Sequence, residues 1–312
     1  MTVLVNVIVT LGMLYVVPAG LRLIDPAGLR RTARLWPLPA VLGAVSLWLP
    51  RGGAATVLAA LYAAACLALA ARAPSALLRG RAPGPAEVAV ATALASPAVA
   101  ATALVAERAG HRLFGFDLDI LALTVPHFHF AGFTAALVAG LVCRAAAPGP
   151  GARWAAYSVP AGTLLVLLGY FVDDWAELAG AVVLTGGMWA VALTTWREIR
   201  PAGRDRTTRA LLAVSAAVLV ATMLLALWWA AGEATGVPHP TLTWMAATHG
   251  LGNALGFALC SMLAWRRLTA DDPRSAQDPR IEEGPRSPAH PRNPDHPRNP
   301  DHPRTARQET TP

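Results

Sequence analysis

Lysine is missing altogether: all 26 basic residues are arginine. Acidic and basic residues together make up only 14% of the chain, where a soluble domain carries about 25%. That deficit excludes an ordinary water-soluble globule and points to lipid. There are three cysteines, Cys66, Cys143 and Cys260, each inside an apolar run and none in a Cys-x-x-Cys pair. A disulfide framework and a cysteine-based zinc site are therefore both excluded. No phosphate-binding loop, no strand-linked Gly-x-Gly-x-x-Gly and no Gly-x-Ser-x-Gly is present. ATP hydrolysis, dinucleotide binding and serine hydrolysis have no support. The pI near 10.3 would suit nucleic acid, but the arginines sit in short loops between apolar runs. They read as topology signals, so no nucleic-acid partner is expected. Abundant alanine and the arginine-only usage read as the imprint of a GC-rich bacterial genome.

What is present is apolar: 54% of residues are hydrophobic and the mean hydropathy is +0.43. A bilayer crossing needs about 20 such residues. Nine runs qualify as spans: Thr2–Ile24, Leu35–Leu49, Ala54–Ala73, Ala86–Ala106, Leu118–Cys143, Trp154–Val172, Asp174–Trp196, Thr208–Ala231 and Thr241–Trp265. The second is short and carries Pro37 and Pro39. The first lacks the basic leader of a signal peptide and is read as a retained membrane helix.

Charge sets the orientation. With the N-terminus outside, the inner loops hold Arg22, Arg30, Arg31 and Arg34, then Arg72, Arg79 and Arg81, then Arg144 and Arg153. Arg197, Arg200, Arg204, Arg206 and Arg209 follow, and Arg266 and Arg267 close the last span. The outer side holds only Arg51, Arg108 and Arg112. This is the positive-inside pattern. Tryptophans cluster near the span ends, Trp36 among them, as amphipathic indoles at a headgroup boundary do. The chain therefore reads as an all-α, polytopic helix bundle of about nine spans in a bacterial cell membrane, with a cytoplasmic C-terminus. The bundle occupies 1–267. Residues 268–312 are rich in Pro, Arg and Asp and repeat His-Pro-Arg-Asn-Pro-Asp from His290 to Asp301, the composition of a disordered tail.

Polar residues inside the apolar runs are the functional clue, because each costs energy in hydrocarbon. His127 and His129 lie in the fifth run, and His249 and Asn253 in the ninth. At 1.5 Å per residue His127 and His249 sit about 13 and 12 Å below the outer ends of their spans, at one shared level. His249 and Asn253 are four apart and share a helical face. Gly252 and Gly256 beside them allow another helix to come close, and the fifth and ninth spans are expected to touch. His127 and His129 are two apart and point nearly opposite ways on a regular helix. A kink at Pro126 would turn both rings toward one cavity. Outside, Asp173, Asp174 and Glu177 open the seventh span. With Glu107, Asp117, Asp119 and Glu233 they make a negative vestibule. Asp173 and its neighbours also suit a helix N-terminus.

The stretch Pro126-His127-Phe128-His129-Phe130-Ala131-Gly132-Phe133, followed by Thr248-His249-Gly250-Leu251-Gly252-Asn253-Ala254-Leu255-Gly256-Phe257, resembles the YndJ-like family of bacterial multi-pass membrane proteins. The resemblance implies an integral membrane protein with a transport role, and its motif positions are His127, His129, His249 and Asn253. Three functions are expected to compete. The first is a small-solute or cation permease, in which these residues bind substrate or relay protons. The second is a membrane-embedded metalloenzyme with His127, His129 and His249 on a transition metal, haem ligation being a sub-case. The third is a non-catalytic assembly or sensor subunit. Beyond the lipid bilayer, no partner is specified.

Overall fold

Each of the nine apolar runs folds as helix. The computed structural model describes residues 2–78, 83–201 and 205–270. Expectations for Arg79, Arg81, Arg204 and the tail from 271 to 312, with its repeat, lie outside the described residues. The helices are α1 (Thr2–Ile24), α2 (Pro37–Trp48), α3 (Gly53–Ala70), α4 (Pro85–Arg108) and α5 (Leu118–Ala145). Then come α6 (Pro150–Gly169), α7 (Asp174–Ile199), α8 (Arg206–Thr235) and α9, residues 242–270. No strand occurs among the described residues. Lipid offers the backbone no hydrogen-bonding partner, so apolar runs of this length satisfy their amides internally as helix.

Sequence fixes the helix ends. Asp173, Asp205 and Thr241 are N-caps whose side chains accept the amides of Ala176, Thr208 and Trp244. Prolines occupy the first turn of α2, α4 and α6, where their missing donor costs nothing. Gly236, at φ 75°, ends α8 in the left-handed conformation. The Asp205 carboxyl is held down to about 2, first by the Thr208 hydroxyl, then by the Thr208 amide, with Arg267 nearby.

Among the described residues six helices are long and apolar enough by themselves to cross a bilayer: α1, Gly53–Leu77, α4, α5, α7 and α8. The 12 residues of α2 reach only about 18 Å. A preceding turn, Arg30–Leu35, runs through Trp36 into α2 and lengthens it to residues 30–48. The carbonyls at the far end of α2 are met by a guanidinium: Arg108 donates to Ser46, Leu47 and Leu49 at 3.3, 3.4 and 3.3 Å. Arg108 also pairs with Glu107, and Arg51 donates to the same carboxylate at 2.8 Å. Glu107 is thus buried and neutralised at the α2–α4 junction, so it is withdrawn from the vestibule the sequence suggested. Asp117 is paired with Arg112 as well.

Neighbours in sequence pack as antiparallel pairs, α6 with α7 most closely. At the centre stands α5, buried from Phe128 to Val142 at every position but Ala131. Against it lie α4, α1 and α9. Three of these central helices are not regular. Each contains a wider, π-helical stretch: Gly12–Val16 in α1, Phe128–Thr134 in α5, and Ala246–Gly250 with Gly252–Leu259 in α9. Pro18 and Pro126 adjoin the first two, where the missing amide disturbs the ladder. Freed carbonyls find other donors. Trp36 gives its indole N–H to Met13 at 3.0 Å, and the Thr134 hydroxyl donates to His129 at 3.0 Å. Trp36 is accordingly only 2% exposed, a buried donor and not the boundary residue its position suggested. The three widened stretches touch one another in the bundle. π-Helical turns are uncommon and concentrate at functional sites.

Candidate functional site

The widening at Phe128 sets the direction of the two neighbouring imidazoles. His127 ends the regular part of α5 and lines a cavity of about 540 Å³. His129 faces the other way and is 0% exposed. Its ring lies parallel to Tyr62 of α3, centroids 6.1 Å apart, and Gly12 of α1 leaves room for it. Nδ1–H of His129 donates to the Val125 carbonyl at 2.8 Å, which leaves Nε2 to accept the Tyr62 hydroxyl at 2.7 Å. The kink at Pro126 therefore does not turn both rings into one cavity. Two residues of helix place them on opposite sides, and the wide turn starts only after His127.

The His249–Asn253 pair shares a face as its spacing predicts, with Asn253 Nδ2 donating to His249 Nε2 at 3.0 Å. Both are tied to α8. His249 Nδ1–H donates to the Thr222 carbonyl at 2.8 Å, and the Thr222 hydroxyl donates to Asn253 Oδ1 at 2.8 Å. This closed ring of hydrogen bonds clasps α9 to α8. Gly252 and Gly256 serve the same junction: a Cβ at either would run into Thr222 or Val218 of α8. The small-residue face thus receives α8. The fifth helix does touch α9, but through the widened stretches.

Both ring nitrogens of His129 are engaged within the protein, and both of His249. His127 differs: its Nε2 is buried with no hydrogen-bond partner. The proposed three-histidine metal set is not assembled. His129 lies behind α5, away from the cavity that His127 and His249 line. Among the described residues no three His, Cys, Asp or Glu side chains are grouped to hold a metal ion.

The cavity runs between α1, α5, α6, α7, α8 and α9. His127, His249 and Asn253 form one polar patch of its wall. A second is acidic: Asp174, Glu177 and Glu233, with Tyr170, Trp229 and His239. Asp174 and Glu233 are exposed, whereas Glu177 is 9% exposed. Gly169 of α6 admits the Glu177 backbone at close range, and this seats the carboxyl beside Tyr170, with which it interacts. His239 Nε2 lies 3.2 Å from Glu233. No arginine is among the described residues that line the cavity. Of the expected acidic trio, Asp174 and Glu177 reach the cavity wall, whereas Asp173 is committed to the α7 amide of Ala176 at 2.8 Å.

Sequence reasoning missed Tyr62, Thr222, Trp229 and His239. A lone tyrosine in the alanine-rich α3 is the one signal that was available for Tyr62, since a buried phenol needs a partner. Thr222 acts through its backbone carbonyl as much as its hydroxyl, which no side-chain pattern reveals.

Comparison with known proteins agrees with the helical membrane architecture. The profile described as YndJ-like protein matches residues 7–257, which takes in both histidine motifs. The uncharacterized membrane protein YndJ of Bacillus subtilis (strain 168) is 25% identical over 156 residues, covering 50% of this chain and 28% of that protein. The chain thus spans little more than a quarter of the length of the curated relative it matches. No solved structure matches.

Proposed function

The chain belongs to the YndJ-like family of multi-pass membrane proteins, and on that footing we propose that it is a small-solute permease whose substrate site is the α5–α9 cavity. One observation carries the reading. A cavity of about 540 Å³ lies among helices with interrupted ladders; its wall holds His127 Nε2, a buried atom without a hydrogen-bond partner, and Glu177, a buried carboxyl beside Tyr170 with no arginine among the described lining residues. Pockets of about 300–1,000 Å³ suit small molecules, and buried polar groups without partners are paired when a ligand arrives. Interrupted membrane helices around a midplane site are the usual architecture of secondary transporters. The arginine distribution supports an outward-facing mouth at Asp174 and Glu233. Within the cavity His127 and Glu177 are the groups left to relay a proton, the His249 nitrogens being spent on Thr222 and Asn253. His129, closed off by Tyr62, is assigned to holding α3 against α5.

Proteoliposomes carrying the full chain test this. Uptake of a panel of labelled amines, amino acids, carboxylates and sugars is compared with empty liposomes. At least one class is expected to enter at least ten-fold faster with protein, and His127→Ala removes most of that gain. Equal entry of every class with and without protein contradicts the permease reading.

A further inference from the structure

We infer that the cavity takes an amphipathic organic monocation, an ammonium head on an apolar body; this rests on the cavity being the substrate site. At one end stand three carboxylates, Asp174, Glu177 and Glu233. The chain has no lysine, no arginine lines the cavity among the described residues, and the imidazole of His239 is placed between Glu233 and the Pro240 carbonyl. Glu177 is buried and interacts with Tyr170, and among the described residues that line the cavity no arginine stands beside it. A buried carboxylate is costly unless a cation or donors meet it, and a ligand cation meets it directly. The same end carries the aromatic rings of Tyr170 and Trp229, and an ammonium among aromatic faces and carboxylates gains from both.

Much of the cavity wall is apolar. Leu184, Met188, Leu219, Met223 and Phe130 line it. Two methionines make an adaptable wall for a hydrocarbon body. Apart from the carboxylates the wall offers His127 Nε2, a buried atom without a partner, which suits a hydrogen-bond donor on the ligand body. Other solute classes fit less well. An anion meets three like charges at the mouth. A sugar needs many hydrogen-bonding groups, which the apolar wall withholds. A bare metal ion needs a cluster of ligands, and the described residues provide none.

Equilibrium binding in nanodiscs tests the inference, with labelled 2-phenylethylammonium as probe and the full chain as receptor. Saturable binding is expected. Glu177→Gln weakens it at least ten-fold, and neutral 2-phenylethanol competes at least ten-fold less well than the unlabelled cation. Asp174→Asn, at the exposed start of α7, weakens it several-fold and guards against a folding defect in the Glu177 variant. If 2-phenylethanol competes as well as the cation and both variants bind like the parent, the inference is overturned while the permease reading stands on a neutral solute. If the cation does not bind at all, the inference is overturned too, and the uptake panel separately decides the permease reading.

Discussion

Three histidines inside the bundle with the same sequence credentials have different occupations. His129 spends both nitrogens on Val125 and Tyr62, and His249 on Thr222 and Asn253. Only His127 keeps a buried nitrogen unspent. Their chemical type and depth were legible in the sequence; their partners were not, because Tyr62 is 67 positions from His129 and Thr222 is 27 from His249. Such partners are selected by packing, which one sequence does not display. The Tyr62–His129 bond yields a stability prediction. Tyr62→Phe keeps the ring and deletes the donor, so an imidazole nitrogen is left buried and unsatisfied. A loss of about 1–3 kcal/mol is expected for such a group. Thermal unfolding in detergent reads it: Tyr62→Phe melts lower than the parent, and His127→Ala, which breaks no internal hydrogen bond of its Nε2, lowers the melting temperature less. Equal losses contradict this division of labour.

The nine apolar runs were legible as helices because hydrocarbon leaves the backbone no alternative, and the caps at Asp173, Asp205 and Thr241 mark where three of them begin. The π-helical stretches were not legible. Pro126 signals a disturbance but neither its form nor its side, and in α9 there is no proline to signal one. This is why the sequence suggested a shared cavity for His127 and His129, and why the α8 partner of Gly252 and Gly256 went unnoticed. At the start of α8 the cap gives a pH prediction. The folded Asp205 value, about 2, lies below the ordinary aspartate value of about 3.9. A depressed carboxylate stabilises the folded state above the unfolded value, and that contribution is lost as pH falls through the folded one. The cap is therefore complete above about pH 5 and disappears toward pH 2. A carbon-13 titration of the Asp205 carboxyl should show a midpoint near 2, and a midpoint near 4 contradicts the Thr208 hydrogen bonds.

At the scale of the molecule, charge asymmetry predicted a bundle with an acidic outer side, but not how its carboxylates would be divided. Glu107 and Asp117 are spent on arginines, Asp173 on a cap, and Asp119 is not among the residues lining the cavity, which leaves Asp174, Glu177 and Glu233 for it. Most of these partners are local, but Arg51 reaches Glu107 across 56 positions, a pairing that packing selects. The account depends on one geometric claim: His127 and α9 face a common cavity open to the outside, and His129 does not. Single cysteines at His127, Ala246 and His129, in a chain with Cys66, Cys143 and Cys260 replaced by serine or alanine, test it directly. A membrane-impermeant maleimide is added to the outer side of sealed cells. The account predicts labelling of His127→Cys and Ala246→Cys and none of His129→Cys; labelling of His129→Cys as fast as His127→Cys, or of His129→Cys alone, would contradict it.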